Sequence, residues 1–291
     1  MSDLRRAGLI GMPVAHSRSP VMQQAAFDAL GLAARYELWE TPPEALAARI
    51  ASLRAPGMLG ANVTVPYKLA VVPLLDSLGT EVRTLGSVNT IVRVADAEGS
   101  GGALLGGHNT DVAGLRRALR EAGAQLAGKR MLVLGAGGAA RAALAVARME
   151  RARVRIAARR PTVAADALGS MPMLGAGDIV ALGDTSRLAA LLGETDVLVN
   201  ATPVGTLDAA AAPLPLDLLD RLPLGAFIFD LVYNPPETAL VRAARARSLR
   251  ASGGLPMLLY QGAEAFTLWT RQPAPLAAMR AALGIAEETT R

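Results

Sequence analysis

The sequence predicts an α/β protein of two domains, the second of them built on a doubly wound parallel sheet. The chain has 291 residues, and domains commonly hold about 100–200 residues, so two domains are expected. Its apolar runs are short, often rich in Val or Ile, and separated by helical segments. Strands that alternate with helices in this way are typical of βαβ units, in which crossover helices join parallel strands.

The first half of the chain predicts an N-terminal α/β domain over residues 1–110. Apolar runs bounded by turn residues predict strands at 7–11, 36–40, 60–65, 87–94 and 104–107. Helical periodicity and helix-start signals predict helices at 20–30, 43–54 and 67–75.

The second half predicts a second domain over residues 111–256. It begins with a helix at 111–121, followed by a strand at 130–134, a glycine-rich turn and a helix that runs to Met149. Further strands are predicted at 153–157, 179–182, 196–200 and 227–232. A doubly wound sheet binds ligands at the carboxyl ends of its strands. Three more helices are predicted at 237–249, 256–269 and 275–283, and their pattern alone does not say where they pack.

The composition excludes several classes of protein. Hydrophobic residues make up 52% of the chain and charged residues 19%, which fits neither a disordered nor a fibrous protein. The longest uncharged stretches, 55–67 and 251–263, have 13 residues each. A membrane span needs about 18 apolar residues. The N-terminus lacks the basic segment and apolar core of a signal peptide, so a cytoplasmic protein without a membrane partner is expected.

The chain offers few metal ligands, and its charge favours an anionic small molecule as the ligand. With 0 Cys there is no thiolate site or Cys nucleophile, and two separate imidazoles, His16 and His108, predict no metal site. The net charge of +5 indicates an anionic partner. Only 4 Phe, 4 Tyr and 2 Trp are present, and no long basic block occurs, which disfavours nucleic acid.

Lys68 is a candidate for proton chemistry because lysine is rare in this chain. Of the 30 basic residues only two are lysines, Lys68 and Lys129. Arginine carries charge equally well but is not deprotonated in proteins, whereas a lysine amine exchanges its proton. Lys129 is expected at the surface.

A glycine-rich loop follows the strand at 130–134 and predicts a dinucleotide site. Its residues are Gly135, Ala136, Gly137, Gly138 and Ala139. Glycines allow a tight turn and let backbone N–H groups approach a pyrophosphate, which the positive end of the next helix favours. The alternative for this G-x-G-x-x-A pattern is a glycine turn without a ligand.

The next strand favours NADP over NAD. NAD sites usually place an Asp or Glu about 20 residues further on, where it binds the ribose 2′-OH. No acidic residue occurs between 151 and 165, and Arg159 and Arg160 close the strand. These arginines predict binding of the 2′-phosphate of NADP, and the alternative is a solvated strand end.

Four segments outside this loop hold dense polar residues, and each follows or ends a predicted strand. They are 16–20, 62–68, 87–90 and 107–111. Hydroxyls, amides, one Lys and one Asp suit a polyhydroxylated carboxylate, because each buried hydroxyl of such a ligand needs a partner.

These segments, with the glycine loop and residues 200–205, 230–233 and 254–262, resemble the shikimate dehydrogenase family in order along nearly the whole chain. The resemblance implies reduction of 3-dehydroshikimate to shikimate with NADPH, in aromatic amino-acid biosynthesis. It also implies a substrate domain over 1–110, a Rossmann-like NADP domain over 111–256, and C-terminal helices over 257–291 that pack back on the substrate domain.

The resemblance further implies the roles of individual residues in substrate binding. Ser17 and Ser19 match the pair that holds the substrate carboxylate, and Lys68 with Asp111 matches the catalytic pair. The remaining matches to the substrate side are Thr64, Asn89, Asp111, Tyr233 and Gln261. Ser19 before a proline also predicts the N-cap of a helix, and both roles can coexist because a helix start favours an anion.

On the cofactor side, Thr202, Leu231, Gly254 and Met257 match positions that line the nicotinamide or its ribose. Core packing is the alternative for Leu231 and Met257. The resemblance is weaker at residues 158–160, where the family often has Asn-Arg-Thr and this chain has Ala-Arg-Arg. This departure removes two polar side chains and adds a charge.

Two questions stay open at the level of the sequence. A free lysine has a pKa near ~10.4, so Lys68 as a general base needs a lowered pKa, whereas a nearby Asp111 carboxylate raises it. Lys68 as a stabiliser of the alkoxide, with the proton passing through Asp111 or water, fits equally well. The alternative functions are activity on quinate or another cyclic hydroxy acid and a non-catalytic NADP-binding regulator. A homodimer is the possible assembly, and the sequence shows no interface for it.

Overall fold

The computed structural model describes residues 4–94, 102–168, 174–175 and 177–286. The chain divides into two compact units. Unit 1 comprises Met1–Gly114 with Leu258–Arg291, and unit 2 comprises Leu115–Met257. Within the described ranges, no helix has the length and apolar character that crossing a bilayer would require.

Unit 1 is built on a mixed six-stranded sheet. Its strands are β1 (Arg5–Gly11), β2 (Ala34–Glu40), β3 (Met58–Val63), β4 (Ser77–Leu78), β5 (Thr90–Val94) and β6 (Leu104–His108). Their spatial order is β2-β1-β3-β5-β6-β4. The pairs β2-β1, β1-β3 and β4-β6 are parallel, whereas β5 runs antiparallel to β3 and β6. The helices of its N-terminal part are α1 (Ser19–Ala29), α2 (Leu46–Ser52) and α3 (Thr80–Leu85).

Unit 2 is a parallel six-stranded sheet that follows α4 (Asp111–Glu121). Its strands are β7 (Arg130–Leu134), β8 (Arg153–Ala158), β9 (Ile179–Ala181), β10 (Val197–Asn200), β11 (Phe227–Asp230) and β12 (Arg250–Ser252). Its helices are α5 (Gly138–Met149), α6 (Pro161–Leu168), α7 (Thr185–Gly193) and α8 (Ala239–Ala246). The order β12-β11-β10-β7-β8-β9 reverses direction at β7, which confirms the predicted doubly wound, Rossmann-like sheet.

Two C-terminal helices complete the fold, α9 (Leu255–Thr270) and α10 (Leu276–Leu283). Within unit 1, α9 packs on the sheet through Trp269, whose indole N–H donates a hydrogen bond to the carbonyl of Ile91 over 2.9 Å. A Cβ at Gly60 would lie 2.0 Å from that carbonyl oxygen and 2.7 Å from the indole nitrogen. Glycine at position 60 is therefore a condition for this packing, and its φ of +151° disfavours any side chain.

Some predicted elements differ from the observed ones. The predicted helix at 67–75 is wrong, because only a 3-10 turn forms there, at Val72–Leu74. Pro73 lies inside the segment and removes a backbone donor that a longer helix would need. The predicted strand at 87–94 begins only at Thr90, since Asn89 belongs to a hydrogen-bonded side-chain cluster described below.

Candidate functional site

An ion pair between Lys68 and Asp111 forms the centre of the polar cluster in unit 1. The lysine Nζ lies 2.5 Å from Oδ2 of the carboxylate. Asp111 is the first residue of α4, where the positive end of the helix dipole favours a negative charge. The Asp111 side chain is 5% exposed and that of Lys68 is 16% exposed. The carboxylate is thus enclosed, while the ammonium keeps a path to solvent.

Asn89 holds the second oxygen of Asp111. Its Nδ2 donates to Oδ1 of Asp111 over 2.8 Å and to the hydroxyl of Thr110 over 2.9 Å. Its Oδ1 accepts from the backbone N–H of Thr110 over 2.7 Å. A side chain that donates on one side and accepts on the other is required here, because the cluster is buried and each polar group needs a partner. An amide meets this requirement and also orients the carboxylate.

Gln261 on α9 reaches the same cluster. Its Oε1 lies 3.4 Å from Nδ2 of Asn89, and its own Nε2 donates to the carbonyl of Leu258 over 3.0 Å. A Cβ at Gly114 would lie 2.7 Å from the Cβ of Gln261. The close crossing of α4 and α9 therefore depends on this glycine, and it brings Gln261 within reach of Asn89.

Ser17, Ser19 and Thr64 lie just beyond the carboxyl ends of β1 and β3. The hydroxyl of Ser17 donates to that of Ser19 over 3.2 Å and accepts from the Ser19 backbone N–H over 3.2 Å. A Cβ at Gly11 would lie 2.4 Å from Cγ2 of Thr64, so Thr64 packs directly against the end of β1. These positions correspond to three of the sequence-predicted substrate contacts.

The predicted N-cap role of Ser19 is wrong. Arg18 occupies the N-cap position of α1, and no side-chain cap hydrogen bond forms there. Ser19 is instead the first residue inside the helix, and Pro20 is the second. Its hydroxyl is bonded to Ser17, so it does not cap the first turn.

The two histidines lie in two of these polar segments, since His16 directly precedes Ser17 and His108 is the last residue of β6. Nδ1 of His108 lies 3.4 Å from Oε1 of Glu81, which also accepts from the backbone N–H of Asn109 over 3.2 Å. Across the described residues, no group of three or more His, Cys, Asp or Glu side chains could hold a metal ion.

In unit 2, the loop between β7 and α5 has the form of a phosphate cradle. Gly135 has a φ of +105°, and a Cβ there would lie 3.1 Å from the carbonyl oxygen of Ala201. Gly137 is the N-cap of α5, and no described atom lies within 4 Å of the place where its Cβ would be. The space beside the start of this 12-residue helix is therefore open, and a helix N-terminus with open space beside it fits a pyrophosphate. The flanking residues Ala136, Gly138 and Ala139 are half-buried.

Arg159 and Arg160 are exposed between β8 and α6. The strand β8 is the direct neighbour of β7 in the sheet, so both arginines follow the carboxyl end of the strand beside the glycine loop. A guanidinium pairs well with a phosphate group, and two exposed guanidiniums at this place suit the 2′-phosphate of NADP.

The remaining cofactor-side positions follow the carboxyl ends of β10, β11 and β12. Thr202 is half-buried and bonded to Asn200, Leu231 is half-buried, and Met257 is 7% exposed. A Cβ at Gly254 would lie 2.2 Å from the carbonyl oxygen of Leu231, so only glycine fits there. Tyr233 is also half-buried, three residues beyond the end of β11.

Sequence reasoning did not single out the buried group that ties these loops together. Nδ2 of Asn200 donates to Oδ1 of Asp230 over 2.8 Å, and the hydroxyl of Thr238 donates to Oδ2 over 2.7 Å. Burial raises the pKa of the Asp230 carboxyl above its usual range. The sequence does carry a signal for this group, because the two apolar strands at 197–200 and 227–230 each end in a polar residue.

Comparisons with known proteins agree on one family. A model described as the shikimate dehydrogenase substrate binding domain matches residues 9–91, and one described as the shikimate 5′-dehydrogenase C-terminal domain matches residues 254–283. The NADP(+) shikimate dehydrogenase of Rubrobacter xylanophilus is 46% identical over 95% of this chain and 94% of its own.

Solved structures extend the comparison to the fold. Shikimate 5-dehydrogenase of Thermus thermophilus, crystallised with NADP(H) and shikimate, has a TM-score of 0.81 and 38% identity, over 96% of this chain and 98% of its own. Quinate dehydrogenase of Corynebacterium glutamicum, crystallised with NAD, has a TM-score of 0.78 and 28% identity over the same shares of the two chains.

Proposed function

This chain belongs to the shikimate dehydrogenase family, and from that premise we infer that it reduces 3-dehydroshikimate to shikimate with NADPH. It is an NADP-dependent oxidoreductase, and the reaction it catalyses is a reversible hydride transfer. The single observation that carries the conclusion is the Lys68–Asp111 ion pair, held by Asn89, in a chain that matches the family along nearly its full length.

The cofactor supplies the hydride, and the protein has to supply the proton. In the direction of reduction, negative charge develops on the carbonyl oxygen of the substrate, and a positioned acid is needed there. Lys68 presents an ammonium that is already hydrogen-bonded to Asp111 at 2.5 Å and is partly open to solvent. It stabilises the alkoxide and gives it a proton, and in the reverse direction the resulting amine accepts one.

Substrate binding is assigned to unit 1. The hydroxyls of Ser17 and Ser19, at the start of α1, hold the carboxylate, and the hydrogen bonds between them keep them adjacent. The remaining contacts are to the ring and its hydroxyls, through Thr64, Asn89, Asp111 and Gln261. Tyr233 is the further residue that the family resemblance assigns to the substrate.

Cofactor binding is assigned to unit 2. The loop from Gly135 to Ala139 holds the pyrophosphate at the start of α5, because the space beside Gly137 is open and the N-terminus of a helix favours an anion. Arg159 and Arg160 hold the 2′-phosphate. The nicotinamide half is lined by Thr202, Leu231, Gly254 and Met257.

Activity on quinate is not favoured. The quinate dehydrogenase structure is 28% identical to this chain, against 46% for the shikimate dehydrogenase of Rubrobacter xylanophilus. A regulator without turnover is not favoured either, because Lys68 and Asp111 are both present and in contact.

The experiment that tests this function compares four initial rates. Purified protein is given shikimate or quinate, each with NADP or NAD, and formation of the reduced nicotinamide is followed by absorbance. We expect fast turnover only with shikimate and NADP. The matched variant Arg159→Ala/Arg160→Ala should raise KM for NADP and leave KM for NAD unchanged. Preference for quinate or NAD would overturn the specificity, and no turnover with any pair would favour the regulator.

A further inference from the structure

The carboxyl ends of β10 and β11 are joined by a buried side-chain network that has no role in the function proposed above. Its three members are Asn200, Asp230 and Thr238, which are 0%, 0% and 1% exposed. The network lies in unit 2, between the loop that contains Thr202 and the loop that contains Leu231.

All the hydrogen bonds of the Asp230 carboxylate come from neutral donors. Oδ1 accepts from Nδ2 of Asn200 over 2.8 Å and from the backbone N–H of Val232 over 3.0 Å. Oδ2 accepts from the hydroxyl of Thr238 over 2.7 Å. Among the described residues, no lysine or arginine donates a hydrogen bond to this carboxyl. A buried carboxylate without a cation is costly, and such groups tend to be kept for a function.

Each member of the network has its orientation determined by a second bond. Oδ1 of Asn200 accepts from the N–H of Thr202 over 3.0 Å and from its hydroxyl over 2.7 Å. The hydroxyl of Thr238 accepts from the N–H of Val241 and so caps α8. The donors therefore converge on the Asp230 carboxylate from two sides, through Thr238 on the side of α8 and through Asn200 on the side of Thr202.

The backbone of the same loops is held equally closely. The N–H of Leu231 donates to the carbonyl of Asn200 over 3.0 Å, and the N–H of Gly254 donates to the carbonyl of Val232 over 3.0 Å. The network thus bonds directly to Thr202 and to Val232, and backbone hydrogen bonds connect Leu231 to Asn200 and Gly254 to Val232. Thr202, Leu231 and Gly254 are three of the residues assigned to the nicotinamide half of the cofactor. The phosphate-binding residues follow β7 and β8, and none of the network's hydrogen bonds reaches them.

We propose that Thr238 and Asp230 are positioning residues that hold the loops after β10 and β11 in the arrangement that binds the nicotinamide half of NADP. This inference rests on the proposed function. It predicts that damage to the network weakens binding of the nicotinamide ring and leaves binding of the phosphates intact.

The test uses Thr238→Val and two ligands, NADPH and 2′-phospho-ADP-ribose, which lacks the nicotinamide ring. Valine has the shape of threonine but removes the hydrogen bond to Asp230, and loss of one buried bond is expected to weaken NADPH binding about tenfold. The dissociation constant for 2′-phospho-ADP-ribose should not change. Both constants are measured by titration calorimetry, and Thr238→Ser, which keeps the hydroxyl, should restore the wild-type ratio.

Thr195→Val is the matched control for lost stability. Thr195 is 3% exposed, and its hydroxyl donates to the carbonyl of Leu191 over 2.8 Å, in the turn between α7 and the amino end of β10. This variant should lower the melting temperature without changing the ratio of the two constants. If Thr238→Val does not fold, Asp230→Asn removes the acceptor of the Thr238 hydroxyl from the other side and should show the same selective loss.

Three results would overturn the proposal. If the variants bind both ligands more weakly by the same factor, or bind both with unchanged affinity, the network has only a structural role. If the wild-type protein binds neither ligand, the proposed function fails, and the proposal fails with it. If the wild type binds both ligands and the ratio of the two dissociation constants is unchanged in the variants, the proposed function stands and only the positioning role is refuted.

Discussion

Asp111 in unit 1 and Asp230 in unit 2 are both buried carboxylates that accept a hydrogen bond from an asparagine side chain, over 2.8 Å in each case. They differ in their second partner. Asp111 faces the ammonium of Lys68 at 2.5 Å, whereas Asp230 faces the hydroxyl of Thr238 at 2.7 Å. They also differ in access, because Lys68 is partly open to solvent and Thr238 is 1% exposed.

This difference separates a carboxylate that can take part in proton transfer from one that maintains geometry. An ion pair that is partly exposed to solvent can release a proton and take one up again. A carboxylate enclosed by neutral donors has no such route, and burial raises its pKa instead. Under the two proposals above, similar polar residues therefore serve chemistry in unit 1 and rigidity in unit 2.

The strongest test of this distinction is Lys68→Ala. Removal of a positioned proton donor lowers kcat by about 10²–10⁴-fold, and the dissociation constant for NADPH should remain that of the wild type. The control is Lys129→Ala, which changes the other lysine of the chain, an exposed residue. Steady-state kinetics and cofactor titration measure both effects. An unchanged kcat in Lys68→Ala would refute the proton role.

A smaller loss is expected from Asp111→Asn. The amide keeps the size of the side chain but takes the charge away from Lys68, so kcat should fall by about 10²-fold, the lower end of the range for general acid–base catalysis. The same substitution at Asp196, which pairs with Arg130 at the surface of unit 2, provides the control and should leave kcat unchanged. Equal rates in the two variants would remove Asp111 from the catalytic pair.

The smallest effect on turnover is expected from Asp230→Asn, where kcat at saturating NADPH should stay near that of the wild type. The main effect of this substitution is expected on the pH dependence of the free energy of unfolding. Since burial raises the pKa of Asp230 in the folded state, the native protein binds this proton more tightly than the unfolded chain. Its stabilising contribution is full below the unfolded pKa of about 3.9 and is lost as pH rises through the raised value.

Urea unfolding of wild type and Asp230→Asn over a series of pH values measures this contribution. The variant should gain stability relative to the wild type as pH rises through that window. Other carboxyls, such as Asp196 and Glu150, have a lowered pKa because of arginine partners, and they act in the opposite sense in both proteins. The difference between the two curves isolates Asp230, and a difference independent of pH would contradict its raised pKa.

Local signals in the sequence predicted most of the fold. The strand at 130–134 and the glycine turn after it were predicted with the observed bounds, because an apolar run that ends in glycines is a strong local signal. The prediction of a helix at 67–75 is wrong because Pro73 interrupts a segment whose apolar spacing is typical of a helix. The short elements β4 and α3, with 2 and 6 residues, carry too little periodicity to be recognised.

The candidate site was less accessible to local reasoning. The residues of the Lys68–Asp111 pair are 43 positions apart, and a resemblance to a family, not a periodic pattern, brought them together before the contact was seen. Asp230 and Asn200 are 30 positions apart, and each is one polar residue at the end of an apolar strand. Their partnership depends on the register of two parallel strands, which the sequence does not state.

The ion pair in unit 1 has a further consequence for covalent labelling of the protein. Because the chain has 2 lysines, an amine-reactive reagent meets only two side-chain amines, and they differ sharply. Lys129 is exposed, whereas Lys68 is held against a carboxylate and 16% exposed. Of the two lysines, mild acylation should therefore attach a dye or a surface tether at Lys129, remote in sequence from the polar cluster, and leave Lys68 unmodified.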